Sequence, residues 1–157
     1  MKINYQPIGI VHSPFTKLAG MPIQPSRAKD ISGSIEVFPE FTEGLDDLSG
    51  FSHIILLYHF HRSTGYRLKI IPFLDNQLRG LFATRAPNRP NPIGLSVVRL
   101  ASIQDNRLSV MNLDILDKTP VIDIKPYIPE FDKGTEVRIG WLEEVRKREA
   151  VSDNRFT

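Results

Sequence analysis

Three segments of the chain carry residue types whose spacing could do chemistry. The first is Leu81-Phe-Ala-Thr-Arg-Ala-Pro-Asn-Arg-Pro-Asn-Pro-Ile-Gly-Leu-Ser96. Three prolines between Pro87 and Pro92 stiffen this stretch and remove backbone donors, so neither an ordinary strand nor a helix fits there. Arg85 and Arg89 are thereby mounted on a rigid loop beside the amides of Asn88 and Asn91, and Gly94 can adopt backbone angles that other residues avoid or allow a ligand to approach closely. Such a loop suits a polar or anionic ligand; the alternative is a structural proline loop with solvated arginines.

The second segment is Asn112-Leu-Asp-Ile-Leu-Asp-Lys-Thr-Pro-Val-Ile-Asp-Ile-Lys-Pro-Tyr127. On an extended backbone from Val121 onward, Asp123, Lys125 and Tyr127 share one face. A carboxylate base, a lysine that tunes it and a phenol that donates could together handle a proton. The same residues also read as an Asx-type turn near Asp117 and a buried Asp–Lys pair that holds strands in register. The third segment is a histidine group. His59 and His61 have metal-ligand spacing, but His53 lies roughly 20 Å from His59 on a strand at ~3.3 Å per residue. No second ligand cluster is evident, so polar groups at the mouth of a cleft are the simpler reading. His12 is isolated and reads as a structural histidine.

These segments need a scaffold, and the composition restricts it. The chain has 157 residues, 41% of them hydrophobic and 24% charged, enough for one domain with a real core. Without cysteine, disulfides and Cys-based metal centres are excluded. The longest apolar run, Ile54 to Tyr58, is too short to span a bilayer, and the N-terminus lacks the apolar stretch of a secretion signal. A cytoplasmic protein with no membrane association is expected. The net charge of +2 hides opposed blocks. Residues 1–29 hold four bases and no acid, and 30–61 hold six acids and neither Lys nor Arg. Residues 62–107 hold eight bases, seven of them arginine, against two acids. Arginine clusters match phosphate geometry, so this block points to an anionic partner such as RNA, or to ion pairing with the acidic block.

The elements read as β-rich. Ile8 to His12, Ser34 to Phe38, Phe51 to His61, Leu95 to Ile103, Leu108 to Leu113 and Val121 to Ile124 are candidate strands. Phe51 to His61 is apolar on both faces, which suggests a central position. Phe41 to Leu48 suggests one or two helical turns, and Trp141 to Glu149 a helix. Twelve prolines, ten glycines and short, irregularly spaced strands favour a mainly β fold. The expected architecture is a small single-sheet antiparallel β-barrel with short helices and a C-terminal helix. Residues 1–140 form the barrel domain and 141–157 the helix and tail. The Gly-x-Gly-x-x-Gly fingerprint and the P-loop are both absent.

The segments 80–96 and 113–127 resemble the signatures of the TsaA/TrmO-like family, whose best-understood members are S-adenosylmethionine-dependent tRNA adenine N6-methyltransferases. Phe51-Ser-His53, Phe60-His61 and Ile8-Gly-Ile-Val-His-Ser-Pro14 fit the same pattern, and the likeness covers about residues 6 to 130. Lys118 departs from it, since the family often has glycine in an Asp-Gly-Thr-Pro turn. The resemblance implies a β-barrel methyltransferase, working as a homodimer, that acts on threonylcarbamoylated adenosine beside the anticodon. It also implies cofactor contacts at Gln24, Pro25, Ser26, Arg27, His61, Arg62, Arg85, Leu95, Met111, Asn112, Leu113 and Asp114. Asp123, Lys125 and Tyr127 are the candidate catalytic residues, Arg79 and Arg89 the candidate RNA contacts, and no metal is expected. The rivals are a non-catalytic RNA- or nucleotide-binding barrel and a His59/His61 metal hydrolase.

Overall fold

Apolar residues alternate along each main strand, and the computed structural model, which describes residues 1–21 and 28–153, turns that alternation into a closed barrel. Its six strands are β1 (Gly9–His12), β2 (Ser32–Val37), β3 (His53–His59), β6 (Ile93–Gln104), β7 (Arg107–Met111) and β8 (Pro120–Pro126). They close in the order β1-β2-β7-β6-β3-β8, every pairing antiparallel. Closure leaves no free sheet edge. The fold is the expected antiparallel barrel, and β3 is indeed paired on both sides, by β6 and β8.

The inward positions make the core. Ile54, Leu56 and Tyr58 of β3 meet Val98 and Leu100 of β6, Leu108 and Val110 of β7, Ile35 and Val37 of β2, Val11 of β1 and Val121 of β8. Most are fully buried, and each such side chain stabilises the fold by about 1.5–3 kcal/mol. The outward residues Ile55 and Leu57 are only half-buried, so the double apolar face of β3 is one core face and one outer-wall face. Pairing shifts register between Leu57 and Tyr58 on β3 and between Leu100 and Ser102 on β6. Such irregularities bend strands, which a small barrel requires.

The strand expected to reach Leu113 stops at Met111, because Asn112 turns left-handed at φ +63°. The loop 112–119 then crosses the end of the barrel, inserting the buried side chains of Leu113 and Ile115. Gly33 makes room for this insertion: a Cβ there would stand 2.3 Å from a Leu113 methyl. The expected helical turns after Phe41 are 3-10 turns at Pro39–Leu45 and Leu48–Gly50.

A second compact unit comprises residues 67–86 and 128–157. It contains β4 (Lys69–Ile70), β5 (Arg79–Gly80), α1 (Pro129–Asp132) and α2 (Leu142–Asp153). Two-residue strands are too short to leave a periodic signal, so β4 and β5 were not legible in the sequence. Its internal clasp centres on Asp75, whose carboxylate accepts from Arg79 Nε at 2.7 Å and from Arg148 at 3.0 Å. Arg79 also lies over the Trp141 ring, 5.5 Å from its centroid, and the indole N–H donates to the Ala83 carbonyl. Burial would raise the Asp75 carboxyl, but hydrogen bonds from Arg79, the Asn76 backbone and Arg148 outweigh it, so it falls to about 2.

Candidate functional site

Four cross-links gather the chemistry-bearing segments at one end of the barrel. The chain leaving β3 meets the proline loop where Phe60 N–H donates to the Pro92 carbonyl, 2.8 Å away. Ser63 Oγ reaches both the Pro87 carbonyl, at 3.1 Å, and Asn88 Oδ1, at 2.8 Å. His61 Nδ1 approaches Thr119 Oγ1 in the loop 112–119. Ser96, near the start of β6, donates from Oγ to Asp114 Oδ1 at 2.7 Å. Two sequence segments separated by most of β6 and all of β7 are thus joined directly. Because the prolines leave few backbone donors, side-chain bonds such as those of Ser63 hold the loop in place.

Within this end of the barrel, His61 is half-buried and Arg62 exposed. Burial, then the neighbouring Arg62 and His59 charges, lower the His61 pKa below its ordinary 6.5. The folded environment therefore favours the neutral imidazole. Asp114 is half-buried and held by Ser96. Asn112 Oδ1 accepts from Asp30 N–H at 3.3 Å. Met111 ends β7, paired with Ser32 and Arg99. The Leu113 side chain belongs to the core and its N–H donates to the Ile31 carbonyl, so its carbonyl is what it can offer a ligand. Arg89 is half-buried on the proline loop.

Other candidates lie elsewhere. Leu95 points outward on β6 and is 45% exposed. Asp123 and Lys125 form an ion pair of 2.7 Å on the outer wall, with side chains 41% and 58% exposed. Asp123 lies opposite Leu57, which on its other side faces Leu95. The hydrogen bond and charge of Asp123 raise the Lys125 pKa. Tyr127 sits beyond β8 with its ring edge-on to His53, 6.4 Å between centroids. The structure therefore pairs Asp123 with Lys125 but gives Tyr127 a different neighbour. Arg79 is drawn into the Asp75 clasp of the second unit, where Arg85 also lies, exposed. Gln24, Pro25, Ser26 and Arg27 lie outside the described residues. His12 pairs with Glu36 at 2.8 Å, as a structural histidine would. Among the described residues, no group of three His, Asp or Glu side chains is arranged to hold a metal ion.

Sequence reasoning missed Tyr58 and Thr119 and gave Ser96 no role. Tyr58 stood inside an apolar run, and nothing in the period-two pattern marks a hydroxyl that another strand will meet. Thr119 is buried, and its hydroxyl donates to the Leu116 carbonyl at 2.7 Å. A signal did exist: Gly94 stands directly across from Tyr58, and a glycine inside a strand marks a close approach.

Taken together, the end of the barrel offers a fixed carboxylate, a neutral imidazole, main-chain carbonyls and an arginine. That set can hold a ligand carrying both charges and hydroxyl groups. Comparison with known proteins gives a match over residues 10–133 to the family model described as the tRNA-methyltransferase O N-terminal domain. A probable S-adenosyl-L-methionine-binding protein of Pyrococcus abyssi is 58% identical, covering 99% of this chain and 86% of the relative. The tRNA (adenine(37)-N6)-methyltransferase of Escherichia coli is 36% identical over 80% of this chain and 58% of that enzyme. The crystal structure of TrmO from Pseudomonas aeruginosa superposes with a TM-score of 0.76 at 39% identity, covering 90% of this chain and 63% of that one. The chain thus spans less than two thirds of the two proteins with that name or activity.

Proposed function

The chain belongs to the tRNA-methyltransferase O family, and from that premise we propose that it transfers a methyl group from S-adenosylmethionine to N6 of an adenosine in tRNA. The acceptor we infer is the threonylcarbamoylated adenosine beside the anticodon. The observation that carries the reading is the Ser96–Asp114 hydrogen bond, because it joins the two long motifs directly.

The residues present fit the cofactor. A zwitterionic nucleoside needs acceptors for its ammonium and ribose hydroxyls, and a cation for its carboxylate. Asp114, the Leu113 carbonyl and neutral His61 are the acceptors, and Arg62 is the cation. The cofactor supplies an activated methyl group on a sulfonium. What the chain supplies is alignment, which dominates the rate of a displacement of this kind, and an acceptor for the proton that N6 gives up. Arg89, on the proline-stiffened loop, is the proposed phosphate contact.

We propose a homodimer as the working form. Leu57, Ile93 and Leu95 form an apolar stripe on the outer wall, beside the oppositely charged Asp123 and Lys125. A stripe flanked by both charges is self-complementary under a two-fold axis, since each residue meets its counterpart's neighbour. In that assembly the outer wall of one copy serves the cofactor site of the other. Asp123 then accepts the N6 proton, with Lys125 orienting it.

The test is a methylation assay with labelled cofactor on tRNA from cells lacking the activity, followed by nucleoside mass spectrometry. Label in N6-methylated threonylcarbamoyladenosine is the expected result. Cofactor binding by calorimetry without any transfer would instead favour a non-catalytic nucleotide-binding barrel.

A further inference from the structure

Inside the barrel, the Tyr58 hydroxyl lies 2.9 Å from Ser96 Oγ, and Ser96 Oγ lies 2.7 Å from Asp114 Oδ1. The direction of these bonds is determined. A carboxylate only accepts, so Ser96 gives its single proton to Asp114, and Tyr58 must give its own to Ser96. Tyr58 is 6% exposed and Ser96 1%. The Tyr58 ring is held from both sides: edge-on by Phe60 at 5.4 Å, and across the sheet by Gly94. A Cβ on Gly94 would stand 2.2–2.8 Å from three atoms of that ring.

Two buried hydroxyls are not needed to fill this space. The buried core cluster that holds Tyr58 is otherwise aliphatic, and replacing both partners of a buried hydrogen bond by apolar groups of like shape is close to neutral. What the couple does is run a one-way line of hydrogen bonds from the core to a carboxylate in a loop that has no regular secondary structure of its own. Side-chain ordering on binding costs affinity, and a bond from a buried hydroxyl lowers that cost for a carboxylate.

We propose that Tyr58 and Ser96 are positioning residues that fix the Asp114 carboxylate in its ligand-accepting orientation, with Gly94 as the gap that admits the Tyr58 ring. The proposal rests on the reading of Asp114 as a cofactor contact. It gives the Gly-Leu-Ser end of the proline motif a task separate from that of its arginines. Gly94 and Ser96 face inward to set a carboxylate, while Leu95 between them faces out.

The test is calorimetric binding of S-adenosylmethionine to the full chain and its variants, with folding checked by circular dichroism. Ser96→Ala is expected to weaken binding roughly ten- to a hundredfold, the scale of a hydrogen bond to a charged group. Tyr58→Phe, which keeps the ring on Gly94 and serves if Ser96→Ala fails to fold, is expected to weaken it about threefold to tenfold. Ser96→Thr, which keeps the hydroxyl, binds more tightly than Ser96→Ala. The decisive readout is a double-mutant cycle: in an Asp114→Ala background, neither Ser96→Ala nor Tyr58→Phe weakens binding further. Equal losses with and without the Asp114 carboxylate, or unchanged binding in the folded single variants, overturn the proposal. Failure of the unaltered protein to bind the cofactor overturns the functional reading itself, and the relay's role with it.

Discussion

The Nδ1 atom of His61 lies 3.4 Å from Thr119 Oγ1, and the Thr119 proton is directed to the Leu116 carbonyl 2.7 Å away. Thr119 can therefore only accept, so His61 carries its proton on Nδ1 and presents a bare Nε2 lone pair. Burial and the Arg62 and His59 charges lower its pKa below 6.5. The folded state thus prefers the neutral ring more than the unfolded chain does. The stability this contributes is complete above 6.5 and is lost as pH falls through the lowered value. Cofactor binding should follow the same course, because protonation turns Nε2 from acceptor to donor. Nitrogen chemical shifts of His61 should report the Nδ1–H tautomer in the native protein and a mixture in Thr119→Val. A binding midpoint above 6.5 would sink this assignment.

Gly94→Ala tests the close approach across the sheet. The added methyl would overlap the Tyr58 ring, which Phe60 blocks from tilting away. Overpacking of a tight core site costs about 1–3 kcal/mol. The expected result is a lower denaturant midpoint with an unchanged slope. Combining Gly94→Ala with Tyr58→Leu should recover most of the loss.

How far the sequence disclosed this molecule follows from the range of each signal. Period-two alternation is local, and it located the six barrel strands to within a few residues. Glycine and proline chemistry is also local, and it marked the proline loop as irregular. The cross-links are not local: Ser96 meets Asp114, and His61 meets Thr119, only because strand pairing brings distant residues to one end. Lys118 shows the converse. The family's glycine at this turn suggests a left-handed residue, and Lys118 adopts φ +63° without glycine's freedom, so the departure alters the cost of the turn rather than its shape. Asp123 and Lys125 were legible as a pair, but their place on the outer wall depends on which strand face looks inward.

The Asp75 clasp predicts unusual acid resistance in the second unit. Its carboxyl titrates at about 2, against an ordinary 3.8. The clasp's stabilisation is therefore complete above 3.8 and disappears only as pH falls through about 2. Trp141 is the chain's single tryptophan and stacks on Arg79, so its emission reports this unit alone. Emission should hold constant until well below 3.8. In Asp75→Asn it should shift at lower denaturant concentration than the far-ultraviolet signal of the barrel, since Arg79 and Arg148 both lose their carboxylate partner. Coincident transitions in that variant would contradict the clasp.

Binding of tRNA should show a strong dependence on salt, with Arg89 contributing one contact. Removing one phosphate contact lowers the slope of log affinity against log salt by about 0.7–0.9. Arg89→Gln is expected to produce that change while cofactor affinity stays within about twofold, below the scale of one charged hydrogen bond. An unchanged slope would assign Arg89 to holding the loop.

The proposed dimer makes a prediction that neither copy can satisfy alone. If Asp123 serves the cofactor site of the other copy, Asp114→Asn and Asp123→Asn disable different halves of the same shared site. Each variant by itself has no intact site. Mixed and re-equilibrated, half of the dimers carry one of each, and in those both lesions fall on one site and leave the other whole. Activity should then return to about a quarter of the native value, by random pairing of equal amounts in a two-fold dimer. Leu95→Glu, which puts charge into the apolar stripe beside Leu57, should abolish both the dimer in sedimentation and the recovery on mixing. No recovery between two folded dimeric variants would place Asp123 outside the reaction and leave the outer wall as a packing surface.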